Sequence, residues 1–187
     1  MYEDQILDAI QFISQKHKNQ KRKIFDYPYV SHPLMVYHMV TQHSNDVNVH
    51  LAALLHDVVE DTDASIEEVK NKFGTTVAEY VSFLSEDQSL EWKECKELYR
   101  QQLASAPPEV LLIKASDLIY NFQDYLYILR NYSIDEFHKL CPQLAEWAEI
   151  KEDLLNTLHT AWPQNPLLPK VREIFEVVKV EYGEKEA

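Results

Sequence analysis

Apolar residues recur at helical spacing along most of this chain. In the first segment Ile6, Leu7, Ile10 and Ile13 lie on one face of a helix that extends to about His17. Later segments repeat the three- and four-residue spacing, and none alternates apolar and polar residues with the period of two that is typical of a strand. The pattern therefore predicts an all-α fold, a bundle of about eight to ten helices.

Local signals place the helix ends. Capping residues or first-turn prolines indicate helix starts at Ser31–Pro33, Asp46, Ser65, Pro107 and Ser133. Gly74 follows Phe73 where a C′ glycine would close a short helix. Further helices are expected over about 89–103, after Pro142, and beyond Pro163 and Pro166. No repeat or low-complexity linker interrupts the pattern, so one domain spanning residues 1–187 is expected.

Composition narrows the class of protein. The chain carries 2 glycines, which disfavours a Gly-rich phosphate loop, and its formal net charge is −13, which disfavours nucleic acid as a partner. No apolar run of membrane-spanning length or signal-like start is present, so a soluble cytoplasmic protein without membrane association is expected. Cys95 and Cys141 match neither a disulfide framework nor a zinc pattern.

One segment concentrates chemistry, because an apolar run leads directly into His56-Asp57 and then Glu60-Asp61. On a continuous helix His56 and Glu60 share a face, as do Asp57 and Asp61. An acidic, solvated helix end is the plain alternative, but the preceding apolar run indicates burial, and buried like charges need a cation. His32, just before a helix-starting proline, and Asp117, alone in an apolar helix, are candidate partners.

These residues fall in four motifs that resemble those of the HD-domain phosphohydrolases. The likeness is strongest to the hydrolase domain of the RelA/SpoT alarmone enzymes and to the small stand-alone alarmone hydrolases of the metazoan SpoT-homologue type. The motifs are residues 28–33 (Pro-Tyr-Val-Ser-His-Pro), 52–62 (Ala-Ala-Leu-Leu-His-Asp-Val-Val-Glu-Asp-Thr), 73–77 (Phe-Gly-Thr-Thr-Val) and 114–121 (Lys-Ala-Ser-Asp-Leu-Ile-Tyr-Asn). The match is strongest over 5–125, and the C-terminal helices 133–187 diverge.

The resemblance implies an HD-type helical fold and a metal-dependent hydrolase. Carried over by motif, the metal ligands are His32, His56, Asp57 and Asp117. The catalytic acidic pair is Glu60 and Asp61. The implied ion is manganese, with iron or cobalt possible, because two imidazoles and two carboxylates leave open positions on an octahedral ion. The implied reaction releases the 3′-pyrophosphate of guanosine 3′,5′-bis(diphosphate).

Substrate contacts are predicted on two segments. Residues 16–23 form the basic run of this acidic chain, and a solvated loop is its plain interpretation. The resemblance instead assigns substrate contacts to Arg22 and Lys23, and to Asn121, which matches a family asparagine beside the nucleotide sugar. Leu118, Leu140 and Leu144 stand where relatives carry basic or aromatic residues. A looser substrate site is therefore expected.

Two alternatives stay open at this point. One keeps the chemistry and changes the substrate to another nucleotide phosphate, such as the 2′-phosphate of NADPH or a deoxynucleotide. The other is a catalytically silent binding module that keeps the metal as a folding staple. The presence of both Glu60 and Asp61 argues against the second alternative, since a staple needs only the four ligands.

Overall fold

The computed structural model describes residues 2–22, 26–140 and 144–186, except for the side chains of residues 140, 144–146 and 186. Helices form almost all of this part of the chain, and the only other pairing described is an isolated antiparallel bridge between Lys21 and Pro28. The predicted all-α class is confirmed. The helices are α1 (Tyr2–Lys16), α2 (Ser31–Val40), α3 (Val47–Leu55), α4 (Val58–Asp61), α5 (Ile66–Phe73), α6 (Thr75–Leu84), α7 (Trp92–Ala104), α8 (Pro108–Asn131), α9 (Ile134–Leu140), α10 (Leu144–Ala161) and α11 (Leu168–Glu186).

The predicted caps form with the expected contacts. The Asp46 carboxylate accepts from the Asn48 N–H, and Ser65 Oγ accepts from the Glu68 N–H. Ser133 and Glu136 make the reciprocal bonds of a capping box. Gly74 has a φ of 95°, a conformation that favours glycine, and joins α5 directly to α6.

Two boundaries differ from the prediction. Helix α6 follows Gly74 immediately, so no separate start signal marked it. Helix α7 begins at Trp92 rather than Ser89. The reason for the second difference is local, because the Asp87 carboxylate accepts from both the N–H and the hydroxyl of Ser89 and holds it in a turn.

Helices α3 and α8 form the centre of the hydrophobic core. Every residue of α3 from Val49 to Leu55 is buried, and the helix contacts α1, α2, α6 and α8. Helix α8 buries Leu111, Ile113, Leu118 and Phe122, and also packs against α11. Each such side chain contributes about 1.5–3 kcal/mol through burial, so these two helices are firmly placed.

The C-terminal helices cover the other side of α8. Helix α11 packs on α8, while α10 packs against α7 and α11. Rings from three helices meet where these elements join, since Phe122 contacts both Trp147 and Phe175 with ring centroids 5.8 and 5.3 Å apart. Across the described residues, no helix is both long and apolar enough to cross a bilayer.

Candidate active site

The helix is interrupted at His56 and Asp57, where the candidate metal ligands of this segment begin. The sequence pattern predicted one helix carrying His56 to Asp61, but α3 ends at Leu55 and the single turn α4 begins at Val58. On a regular helix, neighbouring side chains point about 100° apart, which would separate His56 from Asp57. The turn at these two residues instead brings His56 Nε2 to 3.0 Å from Asp57 Oδ2. Both side chains therefore face one centre.

Four predicted ligand residues meet at this centre. His32 at the start of α2 places its Nε2 atom 3.3 Å from His56 Nε2 and 3.5 Å from Asp57 Oδ2. Asp117, midway along α8, brings Oδ1 to 3.1 Å from His32 Nε2 and 3.9 Å from His56 Nε2. The ligand atoms of His32, His56 and Asp57 all lie within 4.8 Å of one another, a spacing that one metal ion can bridge.

The donor set fits a divalent cation. His56 Nδ1 lies 2.9 Å from the Ala53 carbonyl oxygen, which can only accept, so Nδ1 carries the proton. The Nε2 atom of neutral His56 then presents a lone pair toward His32 and the two carboxylates. A metal-binding histidine is usually oriented by a hydrogen bond from its other ring nitrogen, here Nδ1, to a backbone carbonyl or carboxylate. Lone pairs and carboxylates converging in a buried site require a cation.

The charges around the centre shift the pKa values of its residues in the metal-free protein. Burial lowers the pKa of His56, but the Asp57 and Asp117 carboxylates outweigh it and raise that pKa to about 9. Burial favours protonated Asp57, yet His56 and His32 hold its pKa well below the ordinary 3.8. A metal ion would take the place of the proton that these imidazoles otherwise attract.

Further side chains hold the two carboxylates in position. Tyr29 donates its hydroxyl to Asp57 Oδ2 at 2.6 Å. Lys114 places Nζ 2.9 Å from Asp117 Oδ2, and Asn121 donates its amide to Asp117 Oδ1. The Lys114 ammonium also lies 5.0 Å from the centre of the Tyr99 ring. Each carboxylate is thus oriented by a neighbour, as is typical of metal ligands.

The acidic pair beyond the centre divides into two environments. Glu60 is half-buried and accepts from the Glu86 N–H at 3.0 Å. Burial raises the pKa of Glu60 from 4.5, against the effect of that N–H. Asp61 is exposed and accepts from the Gln20 side chain at 3.0 Å. A half-buried carboxylate with a raised pKa is the better placed of the two to exchange a proton near neutral pH.

The residues that were predicted to contact substrate differ in their burial and in the contacts that they make. Arg22 is largely buried, and it donates to the Asp124 carboxylate and to Asn121 Oδ1 at 3.0 Å. Asn121 therefore bridges Arg22 and Asp117. Lys23 lies outside the described residues. Leu118 is 1% exposed in the core, so it cannot offer a side chain to this site. The side chains of Leu140 and Leu144 are not among those described.

The sequence reasoning overlooked several residues here. Asp124 extends a polar line along α8 that Lys114, Asp117 and Asn121 begin, and this helical spacing could have revealed it. No sequence signal marked Gln20, whose amide oxygen lies 2.6 Å from Nδ1 of buried His17, while its nitrogen holds Asp61. The loop before α2 folds back to make these contacts, since the Tyr29 N–H donates to the Gln20 carbonyl.

Most of these groups, although not His56, line one cavity of about 310 Å³, here called the acidic cavity. Its wall is formed by side chains of the α1–α2 loop, α2, α4, α8 and the end of α6, together with residues that follow α3 and α6. The residues are Gln20, Lys21, Arg22, Tyr29, His32, Asp57, Glu60, Asp61, Leu84, Glu86, Lys114, Asp117, Asn121, Asp124 and Tyr125. The volume suits a ligand of nucleotide size.

The fold and this centre are those of the HD domain, whose family model matches residues 9–126. The chain belongs to the HD domain family, and the resemblance predicted from its motifs is confirmed. An HD domain implies a divalent metal, and the cluster of His32, His56 and Asp57 offers ligand atoms for one. The match ends within α8, so the C-terminal helices lie beyond it.

Individual relatives of this chain carry names that describe the same activity. The guanosine-3′,5′-bis(diphosphate) 3′-pyrophosphohydrolase MESH1 of Homo sapiens is 38% identical over 123 residues, which are 64% of this chain and 69% of the relative. The pyrophosphohydrolase of the same description from Aquifex aeolicus is 40% identical over 121 residues, 63% of this chain and 17% of that longer protein. A solved metazoan orthologue of SpoT, described as hydrolysing ppGpp, superposes with a TM-score of 0.76 at 30% identity, covering 92% of this chain and 94% of that one.

Proposed function

We propose that this protein is a metal-dependent phosphohydrolase that removes the 3′-pyrophosphate of guanosine 3′,5′-bis(diphosphate). The observation that carries the proposal is the convergence of four candidate ligand side chains beside half-buried Glu60. The substrate is taken from relatives named for this activity, which are 38–40% identical to this chain.

We assign the metal ligands as His32, His56, Asp57 and Asp117. Two imidazole and two carboxylate ligands suit manganese, and iron or cobalt would also be accepted. The bound ion would activate water and neutralise negative charge on the phosphoryl group. The Tyr29, Lys114 and Asn121 contacts keep the two carboxylates aimed at the centre.

Glu60 takes the role of general base. In the reaction, a water oxygen forms a bond to the phosphorus on the ribose 3′ oxygen, and the bond between that phosphorus and the 3′ oxygen breaks. Glu60 accepts the proton that the water loses, and the leaving 3′ oxygen takes up one proton. The products are guanosine 5′-diphosphate and pyrophosphate. Asp61, held by Gln20, orients the water.

Arg22 and Asn121 both line the acidic cavity. Arg22 lies 5.6 Å from the centre of the Tyr29 ring, so its guanidinium is braced on one side by a ring and on the other by Asp124. A guanidinium fixed in this way can bind a phosphate or stack on a base with little further loss of freedom. Lys23 is proposed as a second cation for the same group.

To test this, purified protein loaded with manganese is assayed against a panel of compounds. The panel contains guanosine 3′,5′-bis(diphosphate), NADPH and deoxynucleoside triphosphates, and hydrolysis of each is measured. Release of pyrophosphate with guanosine 5′-diphosphate from the first compound supports the proposal, and chelation should abolish it. Cleavage of only another panel member would replace the substrate and leave the phosphohydrolase assignment. No cleavage of any member, with metal bound, would favour a silent metal-stapled module.

A further inference from the structure

A second cavity adjoins the acidic cavity and has a different character. It occupies about 300 Å³ between α7, α8 and α10, and we call it the lysine cavity. Lys114 and Glu86 line both cavities, so they form a shared wall. The remaining residues of the lysine cavity are Lys93, Lys96, Glu97, Tyr99, Arg100, Glu149, Ile150, Lys151, Asp153 and Leu154. Five cations in one cavity are unusual in a chain with a net charge of −13.

Lys151 is the cation in this cavity that needs an explanation. Lys96 is paired with Glu86, Arg100 with Glu97, and Lys114 with Asp117. Lys151 is half-buried on α10, and the contacts of the described residues include no hydrogen bond or ion pair to it. Its ammonium is not among the fully buried unpartnered atoms of the described residues, so it meets solvent in the cavity, where a bound anion can reach it.

Among the described contacts, none of the four acidic residues of the same cavity forms an ion pair with Lys151: Glu86 is paired with Lys96 and Glu97 with Arg100, although the Glu86 carboxylate still attracts Lys151 at longer range. Glu149 and Asp153 are each two positions away on α10, and side chains two apart do not face each other on a helix. Both are exposed, so they lie at the rim while Lys151 is directed inward. Burial and the cations of Lys114 and Lys96 lower the pKa of Lys151 to about 8, so it is still mostly protonated at pH 7.

We infer that Lys151 anchors an anion subsite for the phosphate chain of the nucleotide that is not cleaved. The inference rests on the proposed function, in which a ribose carries one diphosphate at the 3′ oxygen and a second at the 5′ oxygen. Only a few bonds separate the two diphosphates. With the 3′-diphosphate at the metal centre, the cavity across the Lys114 wall is positioned to receive the 5′-diphosphate, whose charge matches Lys151.

Lys151 and the other α10 residues of the lysine cavity lie outside the family match, which ends at residue 126, whereas the remaining lining residues lie inside it. Helix α10 supplies Lys151 to a cavity whose other wall is shared with the metal centre. It would offset the apolar residues Leu140 and Leu144, which stand where a basic and an aromatic substrate contact were expected. Substrate affinity could thus be kept with a changed set of contacts.

The kinetic test compares two substrates with metal-loaded full-length protein. One is guanosine 3′,5′-bis(diphosphate), and the other is guanosine 3′-diphosphate with a free 5′ hydroxyl. Lys151→Met should raise KM for the first by about tenfold or more, the loss expected for one charge-assisted contact, with kcat little changed. KM for the second substrate should stay the same. Lys151→Arg should restore most of the affinity.

Lys179→Met is the matched control. Lys179 is a partly buried lysine on α11 that pairs with Glu152 and Glu176, outside both cavities, so the same charge is lost elsewhere. It should leave both KM values unchanged. Equal KM increases for the two substrates in Lys151→Met, or an effect in the control of the same size, would overturn the inference.

A binding measurement separates this inference from the proposed function. Calorimetric titration with guanosine 5′-diphosphate, which has no cleavable 3′ group, needs no turnover. Wild type should bind it at least tenfold more tightly than Lys151→Met does, while guanosine should not distinguish the two proteins. Loss of hydrolysis in wild type with Lys151-dependent binding retained would reject the activity and keep the subsite. Equal or undetectable binding in both proteins would reject the subsite.

Discussion

The acidic cavity and the lysine cavity share a wall but draw on different parts of the chain. Every residue lining the acidic cavity lies between Gln20 and Tyr125, inside the segment 9–126 that matches the HD domain. The lysine cavity takes Lys151 and four other lining residues from α10, beyond that segment. The proposed anchor of the uncleaved phosphate chain, Lys151, therefore comes from outside the segment that supplies the reactive groups.

The two cavities also differ in whether their charged side chains have partners. In the acidic cavity each carboxylate beside the metal centre has a partner that fixes it, such as Tyr29 for Asp57 and Lys114 for Asp117. In the lysine cavity Lys151 has no such partner among the described residues. The first cavity is preorganised for one ion and one reaction, whereas the second offers an unsatisfied charge to whichever anion reaches it. Four predictions test this division.

The largest effect is expected from Asp117→Ala. Asp117 lies at 4% exposure with its Oδ1 atom 3.1 Å from His32, so its loss removes a ligand and leaves Lys114 unpaired. Activity should fall below detection, and elemental analysis should find little metal. Asp124→Ala, which removes a carboxylate two turns along the same helix, should retain the metal. Full metal content in Asp117→Ala would exclude Asp117 as a ligand.

Glu60→Gln should lower turnover by about 10²–10⁴-fold while leaving the metal bound, because it removes a general base but no ligand. Asp61→Asn should have a smaller effect, since Asp61 is exposed and shares its carboxylate with Gln20. Exposed Asp63→Asn is the control and should behave as wild type. The three variants are compared with wild type by single-turnover kinetics and by analysis of their metal content. Metal loss in Glu60→Gln would reassign that residue as a ligand.

Removal of the metal should make stability depend on pH. The pKa of His56 is raised to about 9 from an ordinary 6.5, so its protonated form stabilises the metal-free fold fully below pH 6.5. That contribution, about 3 kcal/mol at most, is lost as the pH rises through 9. The Tm of chelated protein should therefore fall between pH 6.5 and 9, and His56→Gln should abolish the trend. A flat Tm in chelated wild type would contradict the assigned electrostatics.

The smallest effect is expected from Arg22→Ala. Its guanidinium forms part of the wall near Asn121 but touches none of the four ligand residues in the described contacts. KM should rise by about tenfold with kcat nearly unchanged, as expected when one charge-assisted substrate contact is lost. Lys18→Ala, an exposed member of the same basic run, should have no effect. A fall in kcat alone would place Arg22 in the chemical step instead.

Periodicity and capping signals predicted the all-α class and several helix starts, and the motifs predicted His32, Asp57, Glu60, Asp61 and Asp117, which line the acidic cavity. Asp46, Ser65 and Ser133 cap helices through contacts within three residues, which any sequence window contains. The motifs around His32, His56 and Asp117 identified one candidate centre, since each places a polar group beside an apolar helix that must be buried.

Only the tertiary structure showed how these groups meet. The interruption of the helix at His56 and Asp57 accompanies the approach of their side chains to 3.0 Å, a distance that motif spacing does not give. The contacts from Asp124 to Arg22 and from Gln20 to Asp61 join residues 102 and 41 positions apart. The lysine cavity exists because α10 packs against α7 beside α8. Long-range packing decides which charges are paired, so the lack of an ion pair to Lys151 within the described part of the chain could not be inferred from the order of its neighbours.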